Sequence, residues 1–82
     1  MSIKLKPLVT EKAVMLIESQ NTLVFRTDKK TNKTEMKKEI ESLFGVKVDK
    51  VRVVVKGNYK NFYVKLKKDF PAIDVATKIG MI

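Results

Sequence analysis

The sequence predicts an α+β fold, a small and mainly antiparallel sheet of three to four strands packed with helices. Three observations lead there. Met36, Ile40, Leu43 and Phe44 follow the i, i+4, i+7, i+8 spacing of a helix with one buried face. Val51, Val53 and Val55, then Phe62, Val64 and Leu66, form two runs of period two around Gly57-Asn58, the pattern of a β-hairpin. Finally, 82 residues can bury one hydrophobic core but not two, so residues 1–82 are read as a single domain.

Taken in order, Ile3-Lys4-Leu5-Lys6-Pro7 alternates apolar and basic as a short strand does, and Pro7, which lacks an N–H, limits further pairing. Thr10 is a suitable N-cap for a helix over about 11–20, with Glu11 near the positive end of its dipole and Ala13, Leu16, Ile17 and Gln20 on one face. Asn21 ends that helix. Thr22 to Thr27 reads as a strand, with Leu23 and Phe25 on one side and Val24 and Arg26 on the other.

Asp28 to Asn32 is a polar turn, and Asn32 with Glu35 has the form of a capping box opening the second helix, which Gly45 stops in a left-handed cap. The hairpin follows, its second face carrying Arg52, Val54, Lys56, Tyr63, Lys65 and Lys67. Asp69 and Pro71 suit the start of a closing helix with Ile73, Ala76 and Ile79 inward, Asp74 and Lys78 paired outside, and Gly80 at its end. The order is strand, helix, strand, helix, hairpin, helix.

Composition removes most enzymes. The chain has no Cys and no His, so disulfides, thiolate metal sites and the commonest general base are all missing, and neither a cofactor nor a metal ligand set is expected. Three single, widely spaced glycines form no phosphate-cradling loop. Apolar runs such as Val53 to Val55 fall far short of the roughly 20 residues that span a bilayer. Lys4, Lys6, Pro7 and Glu11 do not read as a secretion signal, so a cytoplasmic protein is expected.

Charge is the positive signal. Eighteen basic residues against nine acidic ones give +9, and residues 47 to 68 alone hold eight basic residues against Asp49. A focused excess of this kind is the footprint of a polyanion site, because each Lys or Arg that neutralises a phosphate releases counterions. A merely soluble, lysine-rich surface is the competing reading. Lys12, Lys33, Lys37, Arg52, Lys56, Lys60 and Lys65 are the candidate phosphate contacts. Tyr59 and Tyr63 stand among these cations, where aromatic rings can stack on unpaired bases. Equally, the Tyr63 ring can pack under a helix with its hydroxyl at the edge. Two further classes stay open, a basic protein-interaction module and a small enzyme acting on an acidic substrate.

Pro7-x-Val9-Thr10-Glu11-Lys12-Ala13, Asn21 to Phe25, Thr31 to Lys37 running on through Leu43-Phe44 to Val48, and Lys60-x-x-Tyr63-Val64-x-Leu66, in this order and spacing, resemble the universal large-subunit ribosomal protein numbered twenty-three. The likeness covers almost the whole chain. It implies a structural, non-catalytic protein that binds large-subunit rRNA among neighbouring ribosomal proteins. It further implies a place beside the exit of the polypeptide tunnel, where the signal recognition particle and, in bacteria, trigger factor dock. Glu11 falls on the family's docking glutamate, and a carboxylate there would repel phosphate, so it is the candidate protein contact. Gly57 to Lys60 replaces the long basic hairpin loop of bacterial members, so the short form looks archaeal, and Arg52 stands where the family commonly has Asn.

Overall fold

A computed structural model describes residues 6–7, 10–28 and 30–78. Its elements are β1 (Lys6–Pro7), α1 (Glu11–Gln20), β2 (Thr22–Asp28), α2 (Lys33–Phe44), β3 (Val48–Lys56), β4 (Tyr59–Leu66) and α3 (Ala72–Lys78). This is the order read from the sequence. Ile3 to Leu5, Ile79 and Gly80 lie outside the described residues.

The caps form as their chemistry dictates. Thr10 Oγ1 accepts the Ala13 N–H at 3.1 Å, and Asn32 Oδ1 accepts the Glu35 N–H at 2.9 Å while its Nδ2 donates to Glu35 Oε1 at 2.8 Å. Asn21 and Gly45 close α1 and α2 in the left-handed region, at φ 52° and 62°.

All four strands pair antiparallel in the order β1-β2-β4-β3, so β1 and β3 are the edges. Pro7 therefore sits where a missing donor is tolerated. The hairpin turn is Gly57-Asn58 alone, since Lys56 already pairs with Tyr59. Gly57 has φ 60° and Asn58 has negative φ, the signature of a type II′ turn.

Leu23, Phe25, Phe62 and Val64, which are register partners on one sheet face, join Met36 and Ile40 of α2 in the main apolar cluster. Val24 points the opposite way and is also only 2% exposed, so β2 is covered on both sides. Helix α2 lies over β3 and β4, α1 lies over β2, and α3 packs on α1 and β2.

Two side chains depart from the helical reading. Leu43 is 56% exposed instead of buried, because α2 lies chiefly over the edge strand β3 and only the narrow Met36–Ile40–Phe44 stripe meets the sheet. Ile73 is 38% exposed, and Ala72, Val75 and Ala76 take the inward positions. The cause is the start of α3, where the Ala72 N–H is held by Asn21 Oδ1 and fixes the rotation of the helix. Both Asp74 and Lys78 are exposed, as expected.

Candidate nucleic-acid interface

Alternation along β4 sends Phe62 and Val64 to the core and Tyr63 and Lys65 to the other face. Helix α1 stands at the edge of that second face, and between it and the β4–β3 ribbon runs a cleft of about 760 Å³. Lys12, Leu16 and Gln20 form its helical wall, while Tyr63 and Val54 contribute to its floor. Lys50, Arg52, Lys56 and Lys65 supply the remaining cations. Five cationic side chains thus share one concavity with no carboxylate in its lining.

Register explains the spacing of these charges. Arg52 pairs with Tyr63, Lys56 with Tyr59, and Lys50 stands directly opposite Lys65. Like charges facing each other across a ladder destabilise it, so the Lys50–Lys65 pair is a local repulsion that a bound anion would relieve. The Arg52 Cζ lies 6.0 Å from the centroid of the half-buried Tyr63 ring. Further along the same face Arg26 is closed on Tyr59 at 4.1 Å, and beside it Arg26 Nε and Asn61 Oδ1, on paired residues, have no hydrogen-bond partner among the described residues.

Of the residues singled out in the sequence, the cleft gathers Lys12, Arg52, Lys56, Tyr63 and Lys65. It leaves out three of the candidate cations. Lys33 and Lys37 are exposed on α2, which covers the opposite face of the sheet. Lys60 shares the side of Phe62, and its half-buried ammonium donates to the Thr31 carbonyl at 3.0 Å, so it ties β4 to the loop before α2. Glu11 is exposed in the first turn of α1, immediately before Lys12. The Tyr63 ring is half-buried and lines the cleft.

Lys50, not among the residues singled out in the sequence, follows the same alternation as Arg52, Val54 and Lys56 and so was within reach of it. The position that alternation misplaces is Val48, which shares parity with Lys50 yet is 2% exposed against Leu66. A register shift between Val48 and Lys50 resolves the conflict, because the extra residue reverses which face the positions before it meet.

Among the described residues no group of three or more Asp and Glu side chains could hold a metal ion, and no helix is long and apolar enough to cross a membrane. The family model for ribosomal protein L23 matches residues 2–70, from ahead of β1 to the turn before α3. With that match spanning most of the chain and the expected elements in their expected order, this protein belongs to the ribosomal protein L23 family, structural components of the large ribosomal subunit.

Proposed function

We propose that this protein is a non-catalytic, rRNA-binding constituent of the large subunit whose RNA contacts centre on the cleft between α1 and the β4–β3 ribbon. The observation that carries the reading is the Lys50–Lys65 pair, two exposed lysines at directly paired positions of the ladder in a cleft with no carboxylate in its lining. Folding places them there at a cost, and phosphate is the ligand that turns the cost into binding. Lys12, Arg52 and Lys56 extend the same positive surface, while Lys33 and Lys37 offer a second, separate one on α2. The contacts are to phosphate and to the shape of folded RNA, and neighbouring large-subunit proteins complete the surroundings.

Glu11, the exposed carboxylate at the tip of α1, serves as a docking contact for factors that meet the nascent chain, such as the signal recognition particle, on cytoplasmic ribosomes near the tunnel exit. Support for this part comes from the family resemblance and from the position of Glu11 on an exposed helix tip. The test is co-sedimentation of the tagged protein with large subunits from a salt-washed lysate. Recovery with the large subunit is the expected result. Recovery with a partner free of RNA, insensitive to salt, would overturn the reading.

A further inference from the structure

We propose that the cleft accepts one unpaired RNA base between the Tyr63 ring and the Arg52 guanidinium, with the flanking phosphates on Lys50–Lys65 and on Lys12 or Lys56; the proposal rests on the RNA reading above. Size is the first argument. A cleft of about 760 Å³ lies within the range of about 300–1,000 Å³ typical of sites that enclose small ligands, so it can enclose a nucleotide, whereas a duplex can only lie across its mouth.

The lining is the second argument. A site for phosphate alone needs only cations, yet here the cations surround Leu16, Val54 and the Tyr63 ring, an apolar and aromatic surface suited to the face of a base. Gln20 adds a carboxamide able to donate and accept at a base edge.

The two Arg–Tyr pairs of this sheet face supply the third. Arg26 is closed on Tyr59 at 4.1 Å, which leaves no room between them, but Arg52 stands 6.0 Å from Tyr63. A planar base inserted between two groups needs about 3.5 Å on each side, or about 7 Å in all. Arg52 is exposed and free to rotate outward by the remaining ångström. The open pair is the one that lines the cleft.

Fluorescence anisotropy at low salt, with a ten-nucleotide oligoadenylate RNA and an abasic ribose-phosphate strand of the same length, tests this. Oligoadenylate should bind about tenfold tighter than the abasic strand, as one stacked base warrants. Tyr63→Ala should remove most of that difference, Tyr63→Phe should keep it because the ring remains, and neither should change the salt slope. Equal binding of the two strands, or a Tyr63→Ala loss equal on both, would overturn base insertion. If Lys50→Gln and Lys65→Gln still reduce the salt slope in that case, the phosphate reading stands without the base. Salt-independent binding to both strands would overturn the two together.

Discussion

The side-chain oxygen of Asn21 accepts the backbone N–H of Ala72 at 2.6 Å, across 51 positions of sequence. The same carboxamide donates from Nδ2 to the carbonyls of Leu66 and Phe70, each at 3.1 Å, and the Asn21 carbonyl accepts the Leu66 N–H at 3.1 Å. One residue therefore ends α1, joins it to the end of β4 and fixes the start of α3. It does this in the left-handed conformation that Asn tolerates better than most residues.

Two substitutions at Asn21 separate these roles. Asn21→Gly keeps the left-handed cap and loses the side-chain bonds, and should cost about 1–3 kcal/mol from the partly buried groups left unpaired. Asn21→Ala should cost about 1 kcal/mol more, because a Cβ is then forced into positive φ. Urea unfolding midpoints measure both. A glycine variant as stable as wild type would show that the long-range bonds contribute nothing.

Much of the architecture was legible because local signals and the global pattern agree. Thr10, Asn32 and Gly45 cap where their side chains or backbone freedom require, and Phe62 and Val64 alternate inward as their period of two demands. What failed depended on contacts between distant residues. Ile73 has the right spacing to be buried, but the Asn21–Ala72 bond sets the rotation of α3 instead. Leu43 has the periodicity of a core residue, yet periodicity does not say how wide a surface the partner offers. The same limit governs the site. A charge run shows that Lys56, Lys60 and Lys65 are basic, and with Gly57 to Lys60 read as the hairpin loop Lys60 has no assigned face; the pairing of Lys56 with Tyr59 puts Lys60 inside β4, on the Phe62 side and away from the other two.

Gly57 isolates a backbone effect in the hairpin. A Cβ built there meets nothing within 4 Å, so Gly57→Ala adds no clash and tests only the positive φ of 60°. The substitution should cost about 1–2 kcal/mol in thermal unfolding. D-alanine, introduced by chemical synthesis, should restore the stability because its mirror-image preference matches the turn. Equal losses with both forms would contradict the turn geometry.

Charge placement predicts opposite effects on stability and binding. Lys65→Gln removes the like-charge repulsion with Lys50, so the RNA-free protein should gain a few tenths of a kcal/mol at low salt. Its log Kd against log salt slope on single-stranded RNA should fall by about 0.7, because one phosphate fewer is neutralised. Lys60→Gln should do the reverse. It gives up the bond to the Thr31 carbonyl, about 1 kcal/mol, and leaves the salt slope unchanged. A drop in slope at Lys60 equal to that at Lys65 would show that both sheet faces bind RNA.

The extra residue in β3 leads to a prediction about a deletion. Val48 pairs with Leu66 and Lys50 with Lys65, so two steps along β3 match one along β4, and the exposed Asp49 is the surplus residue. Removing Asp49 would make Val48, Lys50 and Val51 consecutive in plain alternation, with Val48 and Val51 still inward and Lys50 still in the cleft. The Val48 N–H, which donates to Glu41 Oε2 at 3.0 Å, would keep its partner. Deletion of Asp49 should therefore cost only about 1–2 kcal/mol, from reduced twist at the edge strand, and leave RNA binding within about twofold. Inserting one alanine between Val53 and Val54 should instead swing one end of β3 to the wrong face and unfold the hairpin. Cross-strand nuclear Overhauser effects between Val51 and Val64 report the register directly: their persistence after the deletion supports the surplus-residue account, and their disappearance rules it out.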